Sequence, residues 1–427
     1  MKRLLPFIIT FTLTLSPAEA INLFDPGIPP FPDGVPPTFN TTSFDLSGYR
    51  YVYSARSGAH GQILENRQLL SSGAWTYSPS RVAVDMTLYD TNTNPKPSVA
   101  LGTVLRAPTT PYFLNPANNL RYRWIMYFIY QGTQTPGLAG VVCVAYSSDG
   151  LTWGDPIYAI HQHTGGPRAK RCGVDSGSAF YVVRAEAVSG FMLSSTSVHL
   201  WHLDGDLALA DAWVGSTTVS LTFYVTTTAN APDILQRQGQ ITLNGVTNLN
   251  RPGGMYYNYF PNIDATYDPS SGWLYLLRVY PAPFDAKDPT TPCNHNLNTD
   301  FKTLPTHGQA WAMQVNGDFL KSISTSNSWT KIAEFGQFYG HTVLNGSICQ
   351  EYVVRGCIPN NEYLFNSGNN GNLNMVSVHK TPTGLLALDS QGLALLYFES
   401  VDLNPPFLTN KLMAGWFTTV PGGIICL

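Results

Sequence analysis

The chain has 427 residues, of which 44% are hydrophobic and only 12% charged, with a formal net charge of −3. Charge this sparse beside 23 tyrosines, 21 phenylalanines and 9 tryptophans excludes a disordered chain, and the slightly acidic balance excludes the basic footprint of a nucleic-acid-binding protein. The length allows one large β domain or two domains.

In chain order, Met1–Ala20 has the form of a secretory leader. Lys2 and Arg3 supply its charged start, Leu4–Leu15 its apolar run, and Ala18-Glu19-Ala20 a small-x-small cleavage site. The run is too short to span a bilayer comfortably, and no other stretch approaches about 18 apolar residues, so a soluble protein outside the cytoplasm is expected, with no membrane partner. Residues 21–43 are dense in proline (Pro26, Pro29, Pro30, Pro32, Pro36, Pro37) and predict an extended arm without regular structure through about Asn40, ahead of a single domain over 44–427.

Strands are predicted at Tyr49–Ser54 and within Ile63–Tyr77. A four-stranded unit then spans Arg81–Ile160, with later strands at Tyr122–Tyr130, Val141–Tyr146 and Pro156–Ile160. A second covers Gly173 to about Leu243, with strands near Phe180–Ala185, Val198–Leu203 and Val219–Thr227. The third runs from about Tyr256 to Phe335 (Trp273–Val279, Gln309–Val315, Trp329–Phe335). The fourth lies within His341–Val401 (Met375–His379, Leu385–Leu388, Ala394–Glu399). Strands of the first eighty residues form the remaining unit, closed by Trp416–Val420. No amphipathic helix of ordinary length is visible, and 37 glycines and 31 prolines punctuate the chain too often for a helical fold.

One kind of stretch recurs. In Tyr257–Tyr280 an alternating segment carries Asp264, Asp-Pro-Ser-Ser-Gly turns the chain, and Trp273–Val279 runs back as an aromatic and β-branched strand, the pattern of a hairpin. Asp85 and Asp175 sit in similar surroundings, and the three aspartates stand 90 and 89 residues apart. A period of that length with several strands per unit predicts an all-β fold, a five-bladed β-propeller of four-stranded antiparallel sheets.

Six cysteines in an exported chain permit disulfides. Cys349 and Cys357 flank a short loop and are the best pair; Cys172 with Cys293 is a second; Cys143, in an apolar strand, reads equally well as a buried thiol. No CxxC spacing occurs, so no cysteine–zinc site is expected. Asn40-Thr-Thr and Asn345-Gly-Ser are glycosylation sequons. His161-Gln-His163 puts two imidazoles at the spacing of one strand face, without a third ligand nearby in sequence.

The most specific local motif is Tyr146-Ser-Ser-Asp-Gly-Leu-Thr-Trp153. It predicts a hairpin in which Asp149 accepts backbone N–H bonds, Gly150 takes a positive φ and Trp153 packs on the sheet, so Asp149 is structural. The motif resembles the Asp-box, in the short form seen in five-bladed glycoside hydrolases such as arabinanases, β-xylosidases and invertase-like enzymes. The resemblance rests on these eight residues and on strand rhythm over most of the chain. It implies carboxylates at the inner strands of the blades, one as base or nucleophile, one as general acid and a third orienting the sugar, since glycoside hydrolysis needs such a pair.

On that resemblance Asp85 or Asp175 is the base or nucleophile, Asp264 the orienting residue and Glu186, at the end of an apolar strand, the acid. The chain after the leader has only six glutamates, and of these Glu65 and Glu334 read as surface residues. Phe31-Pro-Asp33 matches the Phe-Pro-Asp string that carries the first-blade aspartate of those enzymes, but no strand is predicted after it. Arg184, Tyr257, Arg278 and His307 are the candidate substrate-binding residues. No cofactor is implied beyond a possible structural calcium ion on the axis. The expected partner of this monomer is an oligo- or polysaccharide. The rival reading is a propeller that binds glycan or protein without catalysis, and a third is a disulfide-stabilised surface protein. A sialidase ranks lower, because its Arg-Ile-Pro string and repeated Asp-boxes are missing.

Overall fold

A computed structural model of the chain describes residues 37–56, 61–77, 80–92, 97–110, 112–132, 140–178, 180–195, 197–204, 220–226, 230–242, 263–281, 306–325, 329–335, 343–344, 347–348, 371–390, 392–402, 411–420 and 423–426. Strands dominate. Among the described residues the only helices are α1 (Phe319–Thr325) and 3-10 turns at Met86–Leu88 and Gln162–Thr164.

The first sheet is β1 (Pro37–Leu46), β2 (Tyr49–Arg56), β3 (Gln62–Leu69) and β4 (Arg81–Asp85), each strand antiparallel to the one before. The second begins with β5 (Ser98–Arg106). After the hairpin of β6 (Phe113–Asn115) and β7 (Leu120–Tyr122) it continues with β8 (Trp124–Gln131), β9 (Val141–Ser147) and β10 (Ile157–Tyr158). Next, β11 (Ile160–His161) pairs in parallel with the last strand of the third sheet, whose own strands are β12 (Ala185–Ser194), β13 (Ser197–Asp204), β14 (Ser220–Thr226) and β15 (Ile234–Thr242). The fourth is β16 (Ile263–Asp268), β17 (Trp273–Pro281), β18 (Thr306–Gln314) and β19 (Thr330–Phe335). A short pair, β20 (Val343–Leu344) and β21 (Ser347–Ile348), precedes the fifth: β22 (Gly371–Val378), β23 (Leu393–Asp402), β24 (Lys411–Val420) and β25 (Gly423–Cys426).

The first strands of the sheets lie side by side: β1 beside β5, β5 beside β12, β12 beside β16, β16 beside β22, and β22 beside β1. Small and hydroxylated residues make each junction. Thr42 Oγ1 donates to Gly102 O (3.4 Å), Thr103 Oγ1 to Gly190 O (3.2 Å) and Thr266 Oγ1 to Gly384 O (3.0 Å). Ser189 Oγ donates to Asp264 Oδ1 (2.7 Å), and Lys380 N donates to Ser43 O (3.0 Å). Approach is so close that a Cβ on Gly102 would stand 2.4 Å from Val188 Cγ1 and 2.6 Å from Tyr127 O. Register shifts interrupt β1, β5, β12 and β22, the bulges expected where strands are bent and crowded.

Outside this ring the sheets bury both faces. In β8, Trp124, Met126, Phe128 and Tyr130 pack with Phe44, Tyr51 and Tyr53 of the first sheet. The alternate residues Ile125, Tyr127 and Ile129 pack with Val188, Val198 and Leu200 of the third. Period-two alternation with two apolar faces gives the continuous apolar run seen in the sequence. Fully burying each such side chain contributes about 1.5–3 kcal/mol. Phe191 and Trp201 of the third sheet meet Ile263, Leu274, Leu276 and Trp311 of the fourth in the same way.

The hairpin at Tyr146–Trp153 forms as its residues dictate. Asp149 Oδ1 accepts from Leu151 N (2.7 Å) and Thr152 N (2.8 Å), Gly150 has φ +76°, and Trp153 packs edge-on to Tyr53. The Asp268-Pro-Ser-Ser-Gly turn likewise joins β16 to β17, with the Asp268 carboxylate accepting from Ser270 and Ser271.

Several expectations are corrected. β4, which carries Asp85, is the last strand of the first sheet, so the spacing of the three aspartates is not a structural period. The segment read as an irregular arm through about Asn40 enters β1 at Pro37. The C-terminal residues Trp416–Val420 belong to β24, an inner strand of the fifth sheet between β23 and β25, and not to the first sheet. Leu385–Leu388 makes isolated bridges instead of a strand. Cys172 pairs with Cys143 and therefore not with Cys293, because the loop holding Cys172 runs along β10, directly across from Cys143 on β9. The Cys349–Cys357 pairing lies outside the described residues.

Candidate functional site

The first strands of the third, fourth and fifth sheets meet at a buried charge pair. Lys380 follows β22, is 3% exposed, and donates from Nζ to Asp264 Oδ1, Ala265 O (2.8 Å) and Ser189 Oγ (3.2 Å). Asp264, 5% exposed on β16, also accepts from Ser189 Oγ on Oδ1 and from Val378 N on Oδ2 (2.8 Å). A buried ion pair is tolerated when hydrogen bonds satisfy both partners, and here they do. The third, fourth and fifth sheets are thereby tied through one ammonium.

The fifth sheet meets the first through His379. Its Nδ1 is 2.8 Å from Ser43 Oγ and its Nε2 is 3.4 Å from Asp45 Oδ1, while Arg50 grips Asp45 through Nε (2.8 Å) and Nη2 (3.0 Å). Burial alone would raise the Asp45 carboxyl, but its bonds to His379 and Arg50 outweigh that and hold it well below the usual carboxylate range. Burial pushes the His379 imidazole down, with Asp45 opposing. Serine, histidine and aspartate stand in a row, yet Ser43 is 1% exposed and no substrate carbonyl could reach it. This cluster is a seam between sheets.

The four proposed catalytic carboxylates fall in different surroundings. Asp85 ends β4, where Oδ1 accepts from Thr87 N (3.0 Å) and Thr87 Oγ1 (2.6 Å) and Oδ2 from Gln62 Nε2 (2.7 Å). Asp175 lies in the loop before β12, with Oδ2 accepting from Arg171 N (2.6 Å). Asp264 is held by Lys380. Glu186 is the second residue of β12, inside the register shift between Ala185 and Ala187. Arg184 stands just ahead of that strand, buried, its backbone bridged to Val141 at the start of β9.

On the fourth sheet, Arg278 pairs with Ile263 at the start of β16, and His307 pairs with Tyr280 close by. Glu186, Asp264, Arg278 and His307 therefore share the strand ends at which the innermost strands begin. Asp85 reaches that end of the first sheet from its outer edge, through pairing with Gln62. Tyr257 lies outside the described residues. So does Asp33, but a strand does follow it: β1 begins at Pro37.

Among the described residues no three His, Cys, Asp or Glu side chains gather as a metal site, His161 and His163 included. Sequence reasoning missed Lys380, Ser189 and His379, whose partners lie far away along the chain. It also misread Glu65, which is buried with Oε1 accepting from Arg67 Nε (2.9 Å) and is raised by that burial, with Arg67 opposing.

No protein-family model and no curated protein matches the chain. Solved structures similar to it include an α-L-arabinofuranosidase from Lactobacillus brevis, at 11% identity over 92% of this chain and 95% of that one, with a TM-score of 0.44. An α-L-arabinofuranosidase from Podospora anserina matches at 12% identity over 92% and 94%, with a TM-score of 0.44. An exo-1,5-α-L-arabinanase from a bovine ruminal metagenomic library matches at 10% identity over 93% and 99%, with a TM-score of 0.42. These are glycoside hydrolases of the class the sequence resembles. Similarity at this level assigns neither family nor activity to the chain.

Proposed function

We propose that this chain is a secreted, carbohydrate-active β-propeller of five blades, a glycoside hydrolase with Glu186 as general acid and Asp33 as base or nucleophile. The observation that carries the reading is the bulge at Glu186, the second residue of an innermost strand. Bulges are over-represented next to active sites, and Arg184 stands two residues ahead of this one. β1 supports the choice of Asp33, because the first innermost strand starts four residues after it. Asp85, Asp175 and Asp264 then serve the fold, since each is engaged by nearby donors. Secretion is supported by the leader-like Met1–Ala20 and by the buried Cys143–Cys172 disulfide, which fits an oxidising compartment.

In this reading a protonated Glu186 delivers its proton to the glycosidic oxygen as the bond breaks. Asp33 stabilises or traps the developing oxocarbenium ion, or activates water against it. The test is hydrolysis of arabinan, xylan, fructan and aryl glycosides by wild type, Asp33→Asn and Glu186→Gln, with unfolding midpoints matched. Turnover of at least one substrate, reduced at least about 100-fold in both folded variants, is expected. Full activity in either variant removes that residue from the mechanism.

A second reading, glycan binding without hydrolysis, is favoured by the engagement of Asp85, Asp175 and Asp264 in local hydrogen bonds. It predicts no turnover on any substrate, with glycan-array binding retained by both variants.

A further inference from the structure

At the end where β1 and β5 finish, the first and second sheets meet through alternating arginines and aromatic rings. Tyr51 on β2 stands directly opposite Arg67 on β3 and packs against Trp124, the first residue of β8, with ring centroids 6.1 Å apart. Trp124 pairs in turn with Arg106, the last residue of β5. The Arg67 guanidinium lies 4.7 Å from the Tyr51 ring and 5.9 Å from that of Tyr77, and Arg81, which opens β4, lies 5.4 Å from Tyr77. Arg106 lies 5.7 Å from the Trp124 ring. One chain of contacts thus runs from the outer edge of the first sheet into the second. Arg123, next to Trp124 in the chain and 5.7 Å from the Tyr112 ring, extends it.

Charge in this cluster is one-sided. Glu65 accepts from Arg67 Nε (2.9 Å), but among the described residues Arg81, Arg106 and Arg123 make no ion pair. Other arginines are matched, Arg50 by Asp45 and Arg168 by Asp233. All four arginines of the cluster are half-buried, and Arg67 Nη2 and Arg123 Nε are buried donors that meet no acceptor among the described residues. Burial first, and the Arg123 cation second, lower the Arg106 guanidinium from its ordinary value. Like charges held together and partly out of water favour an incoming anion.

The geometry also selects among anions. A guanidinium stacked on a ring uses its flat face, which leaves N–H edges to grip a carboxylate with two parallel bonds. Several such groups in one contiguous patch suit a repeated anion better than a single ion. The rings are already occupied: Tyr51 and Trp124 are buried, so no base could stack on them as single-stranded nucleic acid requires.

We propose that this face binds a carboxylated polysaccharide, a polyuronate, at a site separate from the strand-start end that carries Glu186. The choice of a sugar over an acidic peptide rests on the carbohydrate reading above, whereas the anion site rests on the arginines alone.

Affinity electrophoresis of the full-length protein through native gels containing polygalacturonate or polyglutamate tests this without requiring turnover. Polygalacturonate should retard wild type, and less so as salt is raised. Arg106→Gln combined with Arg123→Gln should weaken that retardation at least about tenfold, with an unfolding midpoint showing that the variant is folded. Arg81→Gln, on the edge strand β4, should weaken it at least about threefold, and it decides the matter if the double variant does not fold. Arg237→Gln, which removes an exposed cation on β15, should be retarded like wild type. Equal retardation of the cluster variants and wild type overturns the site. An unretarded wild type also overturns it, and hydrolysis of an aryl glycoside by that same protein would show that the carbohydrate reading stands without it. Equal retardation by polyglutamate overturns the polyuronate and assigns the face to acidic peptides.

Discussion

In β8 every side chain from Trp124 to Tyr130 is buried between two sheets, odd residues on one side and even on the other. β5 runs beside it as Ser-Val-Ala-Leu-Gly-Thr-Val-Leu-Arg and has a different task, because it must pass two other innermost strands at backbone distance. The outer strands are stabilised by bulk and the innermost ones by smallness and hydrogen bonds: Thr42, Thr103, Ser189, Thr266 and one buried Lys–Asp pair. Polar residues near the centre of such an array therefore need not be chemistry. Asp264, which the sequence puts forward for catalysis, is bonded to Lys380, Ser189 and Val378.

The largest expected effect is at the centre. Lys380→Met leaves the Asp264 carboxylate buried and unpaired, and should cost about 3–5 kcal/mol in denaturant unfolding. Lys380→Met with Asp264→Leu should recover most of that loss. A cost below about 1 kcal/mol for the single variant would mean that the junction does not depend on the pair.

Next comes the staple outside the ring. Replacing Cys143 and Cys172 by serine opens a closure spanning 29 residues and should cost roughly 3–4 kcal/mol. An unchanged midpoint after reduction would contradict this.

Acid should act on the third sheet by a comparable amount. Burial between Phe191 and Phe319 lowers the His199 imidazole to about 4 from its ordinary value of 6.5. Below pH 6.5 the unfolded chain takes up a proton that the folded chain refuses, so stability present above that pH is lost as pH falls towards 4, on the order of 3 kcal/mol in all. Asp45, held low, adds to the loss below the ordinary aspartate range. His199→Leu should flatten the upper part of the profile, and a profile identical to wild type would remove His199 as its cause.

The smallest effect belongs to the edge. Asp149→Ala leaves two turn N–H groups to water and should cost about 1–2 kcal/mol, read as a shift in the unfolding midpoint.

The same contrast explains what was legible in the sequence. β8, β9, β13, β14 and β17 are aromatic or β-branched and keep a regular alternation, so they could be read directly. The Asp149 turn could be read because all its partners lie within a few residues. β1 and β5 could not. Threonine, serine and glycine replace the apolar residues, and bulges break the period. Lys380 carried no local signal, since its acceptors are residues 189, 264 and 265. The spacing of Asp85, Asp175 and Asp264 misled because it was a coincidence of three turn-rich or strand-rich segments. Glu186, read as ending a strand over Phe180–Ala185, instead stands at the start of β12, because residues 180–184 form a turn and isolated bridges and the strand runs on from Ala185 through the Gly-containing Ser189-Gly190 stretch.

The most direct measurement is the dependence of turnover on the leaving group in Glu186→Ala. A general acid is needed for a poor leaving group and dispensable for a good one. On unactivated xylo- or arabino-oligosaccharides the variant should lose about 100- to 10,000-fold in kcat/KM, while on 2,4-dinitrophenyl glycosides it should remain within about tenfold of wild type. Equal losses on both substrates, or no loss on either, would contradict a role for Glu186 as the acid.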